Sequence, residues 1–527
     1  MSAVSSLRNA ASSVRTRSSA RWMIAVSVAI AALLEIIDTS IVNVALTDMQ
    51  ATLGATLSEI GWVVTSYAIA NVIMIPLSAW LGDSFGKKRY FVFAMAGFTA
   101  ASVMCGFSRT LPMLITFRVI QGLMGGGLLA KAQAFLFETF PIEEQGMIQA
   151  IFGVVVIAGP AIGPTLGGWL TTNYSWPWIF FINLPVGILA TLMCITFLPH
   201  DEPRHNKVNV DFLGIGLLIA WVGSLQILLE QGNENDWFDS RLIRGLAVTF
   251  VIAIALWIWQ ELRTARPAVD LHVLRHRSLL AGSIYSFVLG GGLYGALFAV
   301  PIFAQQVLGF TAYQTGMLLM PGAFASAITM IIMGRIVGKF DARVLILLGS
   351  IVLISSMFML SHMSIMTGPD GIFWPMIIRG TGTTMMFLPL SIATFGPLPK
   401  RDVSSASGFY NLTRQFGGSV GVAVLTTLLA RREAFHRAIL VEHVTAYSPE
   451  TMQRLSMLTH GLMARGMDAV TAAHQALAIL SQTIDIQAAV LSFGDTFFLV
   501  AAVFIGSAPL LFFLGKGRGA GPAPEAH

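Results

Sequence analysis

Two carboxylates in one long apolar segment are the residues of this chain whose type and spacing point most clearly to chemistry. Glu35 and Asp38 lie within residues 22–46, which are otherwise rich in Ile, Val, Ala and Leu. A helix of this length is about 37 Å long, so it crosses a bilayer with some tilt. Residues three apart share a helix face, and a carboxylate at mid-membrane costs roughly 2.5 kcal/mol or more. Either the pair binds protons in a cavity, which we favour, or it is structural and paired with basic neighbours.

The composition places the chain among membrane proteins. Hydrophobic residues make up 55% of it and charged residues 11%, with a mean hydropathy of +0.73. The net charge of +5 is spread over short loops, so it does not indicate nucleic-acid binding. The two cysteines lie in apolar runs and offer neither a metal-ligand spacing nor a disulfide framework. The sequence contains neither the HExxH motif of metal-dependent hydrolysis nor a nucleotide-binding loop, so it does not indicate an enzyme.

Apolar runs of spanning length predict an all-α polytopic protein with fourteen transmembrane helices. The excess of Lys and Arg on one side predicts that both termini are cytosolic. The predicted organisation is a cytosolic tail (1–21), a six-helix bundle (22–198), a two-helix insert (199–263), a second bundle (264–514) that includes a periplasmic loop (431–492), and a cytosolic tail (515–527). The predicted spans are residues 22–46, 60–81, 90–107, 111–137, 147–171, 178–198, 212–230, 242–262, 278–306, 314–337, 344–364, 372–396, 408–430 and 493–514.

The predicted periplasmic loop carries a second apolar pattern. Its centre, residues 449–487, has the spacing of an amphipathic helix rich in Met and Leu. This surface either docks a partner protein or packs on the outer mouth of the bundle.

Buried cations are the expected counterparts of the two acids. Arg118 lies about 10 Å below the outer end of the fourth span and Asp38 about 12 Å below that of the first, so the two are expected at matching depth. This pair is either part of a proton relay or a static salt bridge that locks two helices. Lys131 lies elsewhere around the same span and either faces inward or extends to the cytosolic side. With Arg379 and Arg414 added, the interior is expected to be electropositive and to favour anionic or weakly acidic lipophilic substrates.

The fifth span combines glycines and prolines at regular spacing. Three glycines four residues apart form a smooth face for close helix contact, and two prolines each remove a backbone hydrogen bond. We predict a hinge at the contact between the two bundles, rather than only a closely packed helix. The residues concerned are Gly159, Pro160, Gly163, Pro164 and Gly167.

The turn after the second span joins an acid to basic residues and a glycine. A plain positive-inside anchor explains the cations but not the acid, so we predict a conformational latch. It comprises Asp83, Gly86, Lys87, Lys88 and Arg89. A degenerate copy of this turn follows the tenth span at residues 334–343. The steps 119–122 and 377–380 are also alike, which indicates two related halves.

These motifs resemble the major facilitator superfamily over essentially the whole chain. The turn at 83–89, the step at 118–122 and the Gly/Pro span resemble that family's loop, fourth-span and exporter motifs. Residues 38–46, 178–187 and 408–418 narrow the resemblance to fourteen-span drug:proton antiporters. The long loop before the last span, together with residues 225–237, resembles EmrB-type inner-membrane permeases of tripartite efflux pumps.

The resemblance implies proton-driven export of amphipathic drugs across a bacterial inner membrane. It also implies a periplasmic adaptor protein and a TolC-type outer-membrane channel as partners, and no cofactor other than the proton gradient. Proton coupling is expected at Asp38, with Glu35 as an additional acid and Arg118 in the relay. Export of one metabolite or siderophore is the alternative within transport, and a membrane-embedded sensor or enzyme is the alternative outside it. The residues predicted to line the substrate cavity are Asn43, Gln121, Lys131, Gln133, Tyr294, Phe298, Arg379, Asn411 and Arg414.

Overall fold

The fold is all-helical in the part of the chain that the computed structural model describes. It describes the backbone of residues 2–199, 211–233, 235–264, 267 and 269–514, and the side chains there except those of residues 2–20, 57, 58, 142, 158, 161, 296, 297, 312 and 369. The predicted tail 515–527 and residues 200–210 of the predicted linker lie outside this part. The helices are α1 (Ser2–Leu53), α2 (Leu57–Phe85), α3 (Lys87–Gly106), α4 (Leu111–Gly125), α5 (Leu128–Thr139), α6 (Ile142–Asn173), α7 (Trp178–Phe181), α8 (Asn183–Phe197), α9 (Phe212–Gln231), α10 (Arg241–Arg263), α11 (Arg277–Ile302), α12 (Ala312–Ile336), α13 (Ala342–Ser361), α14 (Pro369–Phe395), α15 (Val403–Glu442), α16 (Pro449–Met463) and α17 (Ala469–Ser507).

Thirteen segments of the described chain are helical, long and apolar enough to cross a membrane. The thirteenth predicted span, residues 408–430, is helical within α15 but is not among these thirteen segments. The count of fourteen and the cytosolic termini therefore stay predictions. The predicted fourth span, residues 111–137, is two helices, α4 and α5, which meet at Gly126 and Gly127.

Local sequence signals explain several helix boundaries. The Thr56 hydroxyl accepts a hydrogen bond from the Glu59 backbone N–H, and the Glu59 carboxylate accepts from the Thr56 backbone N–H, which starts α2 with a capping box. Between α2 and α3, Gly86 has φ +101°, a conformation that other residues rarely adopt. The sharp turn after the second span therefore depends on this glycine.

Two groups of helices form the two halves, and the same contact recurs in each. Helices α1–α8 pack mainly on one another, as do α11–α15 with α17. In the first half, Gly122 of α4 packs against the backbone of α2 at Tyr67 and Asn71. In the second half, Gly380 of α14 packs in the same way against Gly322 of α12. This correspondence supports the internal repeat that the steps at 119–122 and 377–380 predict.

The insert formed by α9 and α10 lies beside both halves. Trp221 of α9 packs with Trp257 of α10 and Phe416 of α15, in an apolar cluster that includes Val72 of α2. The Gln226 amide also donates a hydrogen bond to Ser419 Oγ of α15, at 3.1 Å. The insert therefore covers one edge of the contact between α2 and α15.

The predicted loop 431–492 is largely helical and continuous with its neighbours. Helix α15 runs on to Glu442 and α17 begins at Ala469, so both extend well beyond the predicted spans, with α16 between them. One face of the predicted amphipathic surface is internal, because Leu462 and Ala476 pack in a small cluster with Leu458. Asp495 of α17 accepts hydrogen bonds from Arg432 and His436 of α15, which ties the bases of the two long helices together.

The glycine face of α6 contacts the first helix rather than the other half. A Cβ on Gly159 would lie 2.5 Å from Ile36, and one on Gly163 would collide with Ser40. Helix α6 itself does lie at the contact between the halves, as predicted, but it makes that contact with another face. That contact is made instead by Gly146 and Gly153 of α6, which pack against α12. Helix α6 is continuous through Pro160 and Pro164, so their action as a hinge stays a prediction.

We expect Gly163→Val to displace the part of α1 that carries the two carboxylates. The added methyl groups would occupy the space of Ser40 and approach the Ile41 backbone, and such overpacking typically costs about 1–3 kcal/mol. Thermal unfolding of the purified protein should show a clear loss of stability. Gly168→Ala is the matched control, because its Cβ would make only an ordinary 3.8 Å contact with Val44. Equal stability of the two variants would contradict this assignment of the α6 face.

Candidate functional site

Asp38 is completely buried, and three neighbouring side chains donate hydrogen bonds to it. Arg118 Nη1 lies 2.6 Å from Asp38 Oδ2, while the Gln121 and Asn183 amides donate to Oδ1 at 2.8 and 3.0 Å. Arg118 is 1% exposed, and its guanidinium carbon lies 4.0 Å from the centre of the Tyr67 ring. A buried ion pair needs such additional hydrogen bonds to offset desolvation. The expected partners, Asp38 and Arg118, are therefore in direct contact.

This network joins helices of the first half only. Besides Asp38 on α1 and Arg118 on α4, it includes Asn183 of α8, whose amide also donates to Ser102 of α3. Gln121 is fully buried between Asp38 and Arg118, so its predicted place on an open cavity face is wrong. The reason is that Gln121 supplies a second donor to the Asp38 carboxylate.

Glu35 lies one helical turn away in a different environment. It is 6% exposed, and its oxygens accept hydrogen bonds from the Asn71 amide at 3.0 Å and from the Leu129 backbone N–H at 2.8 Å. Both donors are neutral, and among the described residues no cation forms a salt bridge with Glu35. Leu129 is in the first turn of α5, where backbone N–H groups lack intrahelical partners. Glu35 therefore caps α5 at the point where the fourth span is interrupted.

Helix α5 is also the element of the first half that makes a row of polar contacts with the second. Lys131 Nζ donates to Ser404 Oγ at 2.6 Å, and Ser407 Oγ donates to the Ala130 carbonyl at 2.8 Å. Gln133 bonds both Ser391 and Asn411, and Lys400 Nζ reaches the Glu138 carbonyl. We call these contacts the α5 seam. One short helix thus joins the Glu35 carboxylate to the opposite half of the protein.

Several predicted cavity residues are part of this closed seam rather than of an open space. Lys131, Gln133 and Asn411 are each no more than 3% exposed. Lys131 is therefore buried, and its ammonium group bonds Ser404 in the first turn of α15 beside Gly82 in the last turn of α2. Their polar groups bond across the two halves, which the sequence of either half alone does not reveal.

The remaining predicted cavity residues are dispersed. Arg414 bonds the Asn411 side chain at 2.6 Å and lies near enough to Glu35 and Tyr294 to act on them electrostatically. Tyr294 and Phe298 on α11 are half-buried, while Asn43 is exposed on α1. Arg379 is buried on α14 and faces a small cavity in the second half.

The predicted latch residues bind mostly within their own half. Lys87 forms a salt bridge with Glu138 at 2.7 Å, and Lys88 donates to the Leu198 carbonyl at 3.0 Å. Asp83 lines a cavity of about 610 Å³ together with Asp402 at the start of α15. The acid of this turn thus faces the contact between the halves, while the two lysines fasten α3 to α5 and α8.

Comparison with known proteins gives the family. The family model described as Major Facilitator Superfamily matches residues 28–422. The chain belongs to the major facilitator superfamily. It is 34% identical to the multidrug export protein EmrB of Escherichia coli strain K12, over 94% of this chain and 97% of that protein. It is 31% identical to the fatty acid resistance protein FarB of Neisseria gonorrhoeae, over 93% and 95% of the two chains.

The fold agrees with this assignment. The solved structure of the proton:xylose symporter XylE superimposes with a TM-score of 0.59, covering 95% of this chain and 98% of that one at 13% identity. The chain is therefore an EmrB-type member of the superfamily, a multi-pass membrane transporter and not an enzyme.

Sequence reasoning missed the neutral partners of the two acids. Asn71 and Asn183 bond Glu35 and Asp38, and Ser404 and Ser407 complete the α5 seam. A polar side chain inside an apolar span is itself a signal of an internal or functional position. Asn71 carries that signal, but its partner on α1 is apparent only in three dimensions.

Proposed function

We propose that this transporter exports amphipathic drugs and other toxic lipophilic compounds from the cytoplasm in exchange for entering protons. The observation that carries the proposal is the Glu35–Leu129 hydrogen bond. It connects a buried titratable group to α5, the helix that bonds the second half of the protein. Protonation of Glu35 would remove the acceptor charge at the start of α5 and loosen the α5 seam. Coupled opening and closing of the two halves is the requirement of alternating access.

The direction of transport follows from the predicted topology. Lys87, Lys400 and Glu138 lie at one end of the bundle, which the positive-inside rule assigns to the cytosol. With fourteen spans, both termini are cytosolic and the helical extension between α15 and α17 is periplasmic. In this arrangement the α5 seam closes the cytosolic side, and protons enter from the periplasmic side.

The proposed setting is the inner membrane of a bacterium, as part of a tripartite pump. The full-length similarity to EmrB and FarB supports this, together with the long outer extension formed by α15, α16 and α17. The partners would be a periplasmic adaptor protein and a TolC-type outer-membrane channel.

The proposed substrates are preferentially anionic or weakly acidic. In the interior, Arg118 pairs with Asp38, Lys131 is bonded within the seam and Arg414 bonds Asn411, while Arg379 lines a small cavity. The name of FarB refers to fatty acids, which are lipophilic acids. If Lys131→Ala and Arg379→Ala both left resistance to an acidic uncoupler unchanged, this preference would be refuted.

Everted membrane vesicles provide the test of the proposed function. We expect vesicles that contain the transporter to accumulate drug when respiration acidifies their lumen, and an uncoupler to abolish that accumulation. Vesicles without the transporter are the control. Accumulation that requires ATP hydrolysis and ignores the uncoupler would contradict proton exchange.

A further inference from the structure

Arg379 is a buried cation that no described protein group neutralises. Its side chain is 7% exposed, and among the residues that the structure describes its guanidinium forms no hydrogen bond or ion pair. Arg118 by contrast pairs with Asp38, and Arg414 bonds Asn411 and lies over the Phe387 ring. An isolated buried charge is strongly unfavourable unless a counter-charge accompanies it. Water in the adjoining cavity can solvate this charge, but only an anion from outside the protein would neutralise it.

The space beside Arg379 suits a small anion. A cavity of about 30 Å³ adjoins the residue, room for about two water molecules and far below the size of a drug site. Its walls are otherwise glycine, aliphatic side chains and two hydroxyl groups, with no carboxylate among them. Besides Arg379, the lining includes Ile157, Gly292, Gly322, Ser326, Gly380 and Thr383.

The internal repeat shows which group is missing beside Arg379. Gly380 makes in the second half the helix contact that Gly122 makes in the first, so Arg379 is the counterpart of Gln121. Gln121 faces the carboxylate of Asp38 on the first helix of its half. In the second half the corresponding helix, α11, lines the cavity with Gly292 and Leu293, neither of which carries a charge. The first half supplies its own anion, whereas the second half offers a cation and a vacant volume.

The surroundings hold Arg379 in place and connect it to the contact between the halves. A Cβ on Gly380 would collide with the Gly322 carbonyl, so α12 and α14 approach too closely to shift easily. The hydroxyl groups of Ser326 and Thr383 donate hydrogen bonds to backbone carbonyls of their own helices. Ile157 of α6, in the first half, forms part of the wall. The cavity is therefore rigid, positively charged and bordered by both halves.

We propose that Arg379 and this cavity form a binding site for one small monovalent anionic group. The group is either the acid function of an exported compound or a free anion such as chloride. The first source rests on the proposed export of acidic compounds, while the second does not. In either case the guanidinium donates charge-assisted hydrogen bonds to the anion. The bound anion also removes the energetic penalty of an unpaired buried charge.

Binding by the purified full-length protein tests this site without any proton gradient. Thermal unfolding is followed as chloride replaces gluconate, an anion too bulky for the cavity, at constant ionic strength. We expect a saturable rise in Tm for the unmodified chain and for the control Arg109→Gln, which alters an exposed arginine. Arg379→Gln should bind chloride at least about tenfold more weakly. Arg379→Lys, which keeps the charge, should lie between them.

A second arm identifies the source of the anion. Decanoate and decanamide, which differ in charge, are titrated into the same proteins with and without chloride. Weaker decanoate binding in chloride, with decanamide unaffected, supports a site for the substrate acid. A saturable chloride effect without competition supports a site for free anion.

The proposal is overturned if neither chloride nor decanoate distinguishes the unmodified chain from Arg379→Gln. Failure of the proposed export is separable from this result. It would appear as loss of gradient-driven uptake in vesicles while anion binding at Arg379 persists.

Discussion

Asp38→Asn is expected to reduce proton-driven export to the background of vesicles that lack the transporter. The substitution removes the titratable group and leaves Arg118 as an unpaired charge at 1% exposure. Removing one partner of a buried ion pair typically destabilises a protein by about 3–5 kcal/mol. Both export and thermal stability should therefore fall, and drug uptake in everted vesicles with parallel unfolding curves measures the two effects.

A double variant separates the proton role of Asp38 from a static salt bridge. Asp38→Asn combined with Arg118→Gln removes both charges, so no uncompensated charge is left buried, which is the main cost of removing one partner alone. We expect the double variant to recover stability but not proton-driven export. Recovery of export together with stability would mean that the pair only locks α1 to α4.

Glu35→Gln is expected to uncouple export from pH while leaving drug binding nearly intact. A glutamine can still accept the hydrogen bond from the Leu129 backbone N–H, but it can neither gain nor lose a proton. The start of α5 is then held in one state at every pH. Coupling between two sites typically changes an equilibrium by a factor of about 5–150. We therefore expect gradient-driven drug accumulation to decrease by a factor of that order.

The measurement compares uptake at several lumenal pH values with direct drug binding to the purified protein. Glu143→Gln serves as the control, since it makes the same chemical change at an exposed position. An unchanged dependence on lumenal pH in Glu35→Gln would assign the proton to another group. Equal losses in the two variants would indicate a nonspecific effect.

The sequence was sufficient for the fold class and for the partner of Asp38. Long apolar runs dictate membrane-spanning helices, and the depths of Asp38 and Arg118 along their helices are simple consequences of helical rise. The two halves were apparent from repeated local motifs, since glycines that permit close helix contact recur at related positions. These features can be predicted because each depends on residue spacing within one helix, or on the repetition of a motif in the second half.

What the sequence did not predict depends on contacts between distant elements. The interruption between α4 and α5 arises where Gly126 and Gly127 pack against Asn71 and Tyr90. The same interruption exposes the N–H group that Glu35 binds. The glycine spacing of α6 predicted close helix contact, but it did not show that α1 is the helix against which this face packs. The sequence also does not show which buried cations have partners. Only the structure distinguishes Arg379 from Arg118, Arg414 and Lys131, which are bonded to other side chains.

Reconstituted vesicles offer the most direct test of the claim that the α1 carboxylates convert proton flow into export. The purified transporter is placed in liposomes with an acidic lumen, and uptake of a lipophilic weak acid is followed. Passive diffusion drives such a compound toward the alkaline side, so accumulation in the acidic lumen requires the transporter. We predict accumulation by the unmodified chain and none by the Glu35→Gln/Asp38→Asn variant in its folded form. Equal accumulation by both would show that the coupling groups lie elsewhere.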